Sequence, residues 1–564
     1  MRKNSSGRWL RRFLIGLGVF ILLLFAVVQF FLNSYLERVL QGKLESLIIN
    51  GSDSLYRFKV DKLDISVWAG KVEVKNLQIR VDSNRYSVLE NSNELPPLTF
   101  EVDLPRGVIE GIDILPLLTS RKIKVDDIIS SDAVVRLSRH FNVAEKKKRK
   151  KEKPLWKSIE NDIREIRVGK FLLDSVKLHY SNADSAKGFR WQFDHCSASF
   201  DNIRIDSVGD SDSNRILFSR NMAIVFNQVR LSTVDSLYWI NADKIFYTSE
   251  KPVLDVQQFT MRPAVSPTEF YKKMGKQKDM YDISLASLTF TNFRLDRFIN
   301  DDQLFADSVM INKPEINIYY DRTAPIVPEN KLGNFLPQLI LNSSMDIRIN
   351  KVKLVGGLVT YTEKAFENLG EGKISFSNMQ GIITNVTNHP QNIAKDSICR
   401  ADFSATFLKK TSVHAKFDFL LSSPDGRFAI EGRARNLDAA ELNAVTKPLS
   451  KTNVSSFRMH DMNFTITGNE QQATGNMHML YNDLQVQLNS ESNSTGGLKK
   501  NKLLTKLINK LAIRNDNPLG NGTEKVASNV KYVRDPHKSF FAIVWRTLFA
   551  CMQVIAMNIR GLSS

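Results

Sequence analysis

Apolar residues in this chain recur two apart, and the pairs themselves recur in steps of five. Residues 166–180 carry the plainest case: Ile166-x-Val168, Phe171-x-Leu173, Val176-x-Leu178-x-Tyr180. The figure returns as Ile283-x-Leu285, Leu288-x-Phe290, Phe293-x-Leu295, and as Ile347-x-Ile349, Val352-x-Leu354. An earlier version runs Ile65-x-Val67, Val72-x-Val74, Leu77-x-Ile79. Spacing of two is strand spacing, because successive side chains point to opposite faces. Helical partners at three and four are not supplied consistently. A step of five is odd, so on an unbroken strand each new pair would land on the opposite face. The pattern therefore predicts bulges or tight turns that reset the phase. Repeated resets bend a sheet. The expected fold is mainly β: a long, strongly curved, mostly antiparallel sheet with one apolar face, forming a taco-like groove. A five-residue β-helix does not fit, since it needs small residues where Ile166, Phe171 and Val176 stand.

The rest of the chain fills in around these strands. Residues 1–12 form a basic tail and 13–32 an apolar segment. Residues 33–50 read as an amphipathic helix through Tyr35, Leu36, Val39, Leu40, Leu44 and Leu47. Strand pairs occupy 51–145, with a short helical turn over 113–118. A basic loop and a short helix with proline in its first turn occupy 146–164. The central strand region runs over 165–430. Within it, Ser266-Pro267-Thr268-Glu269 starts a short helix that ends near Gly275. Residues 331–341 form a second short apolar segment, and Ser423-Pro424-Asp425-Gly426 is a turn. Residues 431–496 form a last strand region, with a capped helix at Asp438-Ala439-Ala440-Glu441 and Asn482-Asp483 between its last two alternating runs. Residues 497–564 are read as helical. Leu503, Leu504, Leu507, Ile508 and Leu511 make one stripe among lysines, and 540–557 is a long apolar helix with Phe540, Phe541 and Trp545 near its start. These eight residues are the candidates for membrane contact. Arg546 argues that the last helix lies at an interface or caps the sheet rather than crossing a bilayer.

Composition narrows the possibilities. The chain has 564 residues, 42% of them hydrophobic and 24% charged, which marks it as globular. A net charge of +18 points to nucleic acid, anionic lipid or acidic glycan as neighbours. Residues 13–32 hold sixteen Leu, Ile, Phe or Val and no charge. Twenty helical residues span about 30 Å, the thickness of a bilayer's hydrocarbon. Arg2, Lys3, Arg8, Arg11 and Arg12 precede the segment and orient the N-terminus toward the cytoplasm. No A-x-A-like cleavage site follows it. An uncleaved single-pass anchor with the bulk of the chain across the membrane is the expectation, and it removes nucleic acid as a partner. The run Lys146-Lys147-Lys148-Arg149-Lys150-Lys151 is either a solvated loop or a contact for anionic lipid.

Candidate chemistry is sparse. The chain lacks Gly-x-Ser-x-Gly, His-Glu-x-x-His and a phosphate loop. Cys196, Cys399 and Cys551 have no metal-ligand spacing and make no disulfide framework. His195 and Cys196 are adjacent, but neighbours on a strand face opposite ways. No enzyme activity, metal or cofactor is expected. The triplet Asp-Ser-apolar recurs at Asp53, Asp174, Asp206, Asp235, Asp307 and Asp396, and it resembles an acceptor motif for O-glycosylation in the Bacteroidota periplasm.

Several stretches together resemble the AsmA-like family in its Bacteroidota branch, related to TamB and the chorein-type bridge proteins. They are the anchor and amphipathic helix, then Tyr56-x-Phe58-x-Val60-x-x-Leu63-x-Ile65, then the strand unit over 347–361. Near the end come Gly475-x-Met477-x-Met479-x-Tyr481-Asn482-Asp483-Leu484-x-Val486, Asn517-Pro518 and Arg534-Asp535 before an aromatic helix. The resemblance implies a repeated-sheet groove and movement of lipid, or upkeep of the outer membrane, between the two membranes of a Gram-negative envelope. It implies membrane phospholipids and envelope proteins as partners. The lysine run at 146–151 is not part of the family pattern. The apolar pairs suit that role, because acyl chains would cover an apolar face that few helices are available to cover. Ile166, Val168, Phe171, Leu173, Val176, Leu178, Tyr180, Ile283, Leu285, Leu288, Phe290, Phe293, Leu295, Ile347, Ile349, Val352 and Leu354 are the candidate groove residues. Two rivals remain: a structural or chaperone factor for outer-membrane protein assembly, and a membrane-anchored enzyme acting on envelope glycans.

Overall fold

The computed structural model describes residues 52–558 except 53, 67–69, 93, 97, 114–119, 141–155, 157–163, 184–189, 213, 366–369, 444–451, 492–497, 501–508 and 510–511. The expected anchor at 13–32, the helix at 33–50, the turn at 113–118, the basic run at 146–151 and the stripe Leu503, Leu504, Leu507, Ile508 and Leu511 fall wholly or almost wholly outside the described residues. Among the described residues no helix is long and apolar enough to cross a membrane. The described residues are mainly β, 60% strand and 15% helix. It divides into two compact units, Met1–Phe259 with Thr289–Phe305 and Thr260–Leu288 with Ala306–Ser564.

The first unit holds β1 (Tyr56–Ser66), β2 (Lys71–Val81), helix α1 (Ser83–Asn91), β3 (Leu98–Glu110), β4 (Lys122–Ser131) and β5 (Val134–Arg139). It continues with β6 (Glu165–Asn182), β7 (Arg190–Ile205), α2 (Ser207–Ser211), β8 (Asn221–Ser232) and β9 (Tyr238–Thr248). β10 (Val253–Pro263) begins here, and α3 (Pro267–Met274) follows it in the second unit. Most neighbours are antiparallel, as the short connections require. The sheet is mostly antiparallel, as expected, but it is mixed: three pairings are parallel among the described residues. β4 and β5 are two halves of one bent strand, both antiparallel to β3, and both run parallel to β6. A parallel neighbour needs a connection of a dozen residues or more, and the chain between Arg139 and Glu165 is long enough for one.

The predicted phase resets are present. In β6, Ile166, Val168, Phe171 and Val176 are buried, whereas the adjacent pairs Gly169–Lys170 and Asp174–Ser175 both face out. Ser175 takes a left-handed φ of 53° at the register shift opposite Cys196. β2 resets the same way at Lys75–Asn76, where Asn76 has φ 50°. The inward residues of β1 to β7 form a single cluster, joined by Leu89 of α1 and by Trp156. Helix α1 was not expected. Asp82 caps it by accepting from the Arg85 amide at 2.9 Å.

A buried charge group ties the start of β6 to its neighbours. Glu165 is only 4% exposed and pairs with Arg167, Lys122 and Arg204, and Arg204 also grips Asp206 at 2.7 Å. Burial pushes the Glu165 carboxyl up, but the Arg167 and Lys122 cations outweigh it and hold it below the ordinary value of 4.5. Asp206 is likewise lowered, burial being outweighed by Arg204 and the Gly209 amide. A lowered carboxyl contributes stability above its unfolded pKa and loses it as pH falls through the folded one. Acid titration of the full chain followed by circular dichroism is therefore expected to show the first unit weakening below about pH 4, with Glu165→Gln flattening that loss.

The second unit repeats this plan about 181 residues later. β11 (Met280–Thr291) and β12 (Gln303–Asn312) have most of their residues in it, α4 (Leu295–Asp301) falls in the first unit, and β13 (Glu315–Asp321) lies wholly in the second. There follow α5 (Leu336–Leu341), β14 (Asp346–Lys364), β15 (Glu371–Thr387) and α6 (Pro390–Lys395). β13 is parallel to β14, and β14 is antiparallel to β15. Glu165-Ile166-Arg167-Val168 corresponds to Asp346-Ile347-Arg348-Ile349. Left-handed residues also correspond: Arg121 with Asp302, Asp132 with Lys313, Ser175 with Gly356. So do the bonds Asp132 N to Asp174 O at 3.1 Å and Lys313 N to Val355 O at 2.8 Å.

The unit goes on through β16 (Ile398–Phe407), β17 (Thr411–Leu420), β18 (Phe428–Asp438), β19 (Thr452–Gly468) and β20 (Gln472–Glu491) to β21 (Leu498–Lys500), β22 (Ala527–Val533) and α7 (Phe540–Ala556). The caps read from the sequence are present: Ser266 accepts from the Glu269 amide, Gly275 ends α3 at φ 64°, and Asp438 accepts from the Glu441 amide. Asn482-Asp483, between its two alternating runs, is a bulge inside an unbroken β20, with Asp483 at φ 57°. Within the stretch read as helical, residues 498–500 and Ala527–Val533 are strands instead, because both pair with β20.

Candidate functional site

Strand register in the second unit lines up apolar residues that lie far apart in sequence. Ile283 of β11 opposes Ile316 of β13, which opposes Val359 of β14, then Phe376 of β15 and Phe407 of β16. A neighbouring rung runs Tyr281, Ile318, Tyr361, Ile374. Side chains directly opposite on paired strands touch, so each rung is a continuous apolar line across the sheet. Every member of the first rung is half-buried, and none is fully covered. Farther along the sheet β17 alternates plainly: Ser412, His414, Lys416 and Asp418 are exposed while Val413, Ala415, Phe417 and Phe419 are half-buried. The Phe403 ring lies across Gly381, where a Cβ would meet its Cδ1 at 2.0 Å.

Toward the C-terminus the same unit closes its apolar face with its own helix. α7 turns Ile543, Thr547, Cys551 and Ile555 onto the sheet, one residue per turn. It packs over β19, β20 and β22. Gly475 permits the approach, since a Cβ there would meet Cys551 Sγ and Thr547 Cγ2 at 2.8 Å. Phe540 fills the corner against Phe335 and Phe428, with ring centroids 5.0 and 5.1 Å away. The Gly-x-Met-x-Met-x-Tyr stretch is thus core: Met477, Met479 and Tyr481 are buried, and Tyr481 Oη donates to Arg514 O at 2.8 Å.

The candidate groove residues fall into different settings. Ile166, Val168, Phe171 and Val176 are closed core of the first unit, with Leu173, Leu178 and Tyr180 packed against them. Phe293 is buried with Met222 and Tyr247 in a second cluster of that unit, and Phe290 and Leu295 pack on it. Ile349 is buried, whereas Ile283, Leu285, Leu288, Ile347, Val352 and Leu354 are half-buried. Of the membrane-contact candidates, Phe540 points inward while Phe541 and Trp545 are exposed. Ile316, Val359, Phe376 and Phe407 belong to the half-open rung without having been singled out, because cross-strand register leaves no local mark.

Other chemistry does not assemble. His195 is exposed and Cys196 buried, so the two face opposite ways. Burial pushes the Cys399 and Cys551 thiols up to about 11 and Cys196 to about 12. Among the described residues no group of three or more His, Cys, Asp or Glu is placed to hold a metal ion. Three Asp-Ser-apolar triplets have structural uses: Asp206 caps α2, and Asp235 and Asp396 accept from the amides of Leu237 and Ile398 at 3.0 Å. No family model and no curated protein matches the chain.

Proposed function

We propose that this chain is a membrane-anchored groove protein that holds phospholipid acyl chains along the half-open apolar wall of its second unit. On this reading the wall is one side of a curved, taco-like groove, and lipid moves along it between the inner and outer membranes of a Gram-negative envelope. The observation that carries the reading is the rung Ile283–Ile316–Val359–Phe376–Phe407, apolar from strand to strand and only half covered. A wall of this kind binds hydrocarbon without directional contacts. Each buried methylene contributes about 0.8 kcal/mol, so a 16-carbon chain gains roughly 10 kcal/mol with little choice of head group. That suits sliding more than fixed binding. The apolar segment at 13–32 supplies the tether to the inner membrane, with the N-terminus cytoplasmic and the strands periplasmic. The test is to solubilise the full chain mildly, purify it and extract it for mass spectrometry. Phospholipid at one or more molecules per chain is expected, and its absence overturns the reading.

A further inference from the structure

The outer face of α7 carries a second, separate feature. Phe541, Trp545 and Phe549 stand four residues apart on the side away from the sheet, 75%, 53% and 42% exposed. They form a single row about 12 Å long. Their helix has no need of them for packing, since Phe540, Ile543, Thr547, Cys551 and Ile555 already cover the sheet. More exposed apolar side chains are held beside the start of this helix. Leu336 and Leu339 project from α5 at 62% and 51%, and Ile326 and Val327 from the preceding loop at 69% and 53%. Backbone bonds fasten this loop to the approach to α7: the Lys331 amide donates to Pro536 O at 2.8 Å, and His537 Nδ1 lies 3.0 Å from Glu329 O.

Charge selects what this face meets. Residues 525–558 contain five Lys or Arg, of which Arg534 is buried, and a single acid, Asp535, while Glu329 of the neighbouring loop is paired with Lys276. Lys538 and Arg546 are exposed next to the aromatic row. Exposed rings with cations alongside match the boundary between acyl chains and anionic head groups, where rings enter the hydrocarbon edge and lysine and arginine stems reach outward.

We infer that the outer face of α7, with α5 and the 326–332 loop, docks on an anionic bilayer surface through Phe541, Trp545 and Phe549. The inference does not rest on acyl-chain binding in the wall, and either can fail alone. The test places the full chain in phosphatidylcholine nanodiscs, with Trp545→Cys carrying an environment-sensitive dye. The native cysteines are all buried, and unsubstituted chain treated in parallel serves as the labelling control. Adding vesicles with 30 mol % phosphatidylglycerol is expected to raise the dye's emission about twofold or more, and 0.5 M salt to weaken the response. A dye at Ser412→Cys, on the polar face of β17, is expected to stay unchanged. Phe541→Ser with Phe549→Ser is expected to cut the Trp545→Cys response at least about fivefold without lowering the melting temperature. No response at position 545, an equal response at 412, or an equal response to pure phosphatidylcholine vesicles overturns the inference. So does a response without vesicles that grows with protein concentration, which would assign the face to a second copy of the chain.

Discussion

Val359→Asp combined with Phe376→Asp is expected to strip co-purifying phospholipid from the full chain, by about tenfold or more, while leaving its fold intact. The two residues oppose one another in the middle of the half-open rung. A carboxylate held under an acyl chain loses its water, and an unpaired buried ion costs several kcal/mol. Each 1.4 kcal/mol is tenfold in affinity, so two such groups exceed the loss needed to empty the site. Folding is affected far less, because both positions already reach solvent and the new carboxylates remain hydrated. Ile166→Asp is the contrast. Ile166 is 0% exposed at the centre of the first unit's cluster, and a charge there is expected to abolish folded protein. Lipid per chain from mass spectrometry and thermal melting by circular dichroism separate the two outcomes. Equal loss of folded protein in both variants would make the rung ordinary core and end the acyl-chain reading.

The contrast also marks what the sequence could and could not reveal. Strand spacing and the phase resets are local properties, so β6 and β14 were legible, down to the outward pairs at Gly169–Lys170 and Asn350–Lys351. Parallel pairing is not local. Whether β5 and β6 run the same way depends on the path between Arg139 and Glu165, and a basic stretch does not announce a parallel return. The same limit hid the rung, whose members Ile283 and Phe407 are brought together only through three intervening strands. Corresponding apolar positions of the repeat can therefore have different fates: Phe171 is sealed, but its counterpart Val352 is only half covered. At the C-terminus the apolar helix was legible and its orientation was not. A change of one residue, from Phe540 to Phe541, separates a core ring from the most exposed one. Helix α1 escaped notice because it buries little beyond Leu89, so its cap at Asp82 had no apolar periodicity to support it.

Arg534→Met is expected to lower the stability of the second unit by about 3–5 kcal/mol, the largest effect of any single polar substitution proposed here. Arg534 is 5% exposed, and its guanidinium is spent on main-chain oxygens. It donates to Glu470 O at 3.0 Å, Lys331 O at 3.0 Å and Lys538 O at 2.6 Å, and its Cζ lies 4.4 Å from the centre of the Phe335 ring. Burial lowers its pKa, which the nearby Glu470 and Asp535 carboxylates partly offset, and it remains charged at any pH the fold survives. Methionine fills much of the same volume and keeps an apolar contact with Phe335, so the loss reports the guanidinium's hydrogen bonds together with its charge over the ring. Three carbonyls lose a charged donor at once, from the β19–β20 turn, the 331 loop and the turn before α7. Those are the segments that hold Phe335 against Phe540 and close the apolar face at this end. Denaturant-dependent amide exchange across the strands of the second unit measures the effect. The same variant is expected to loosen the 326–332 loop from α7, read as faster amide exchange at Lys331, whose N–H is bonded to Pro536 O. A variant as stable as the parent, with Lys331 still protected, would show that the aromatic corner holds itself together and that the arginine only decorates it.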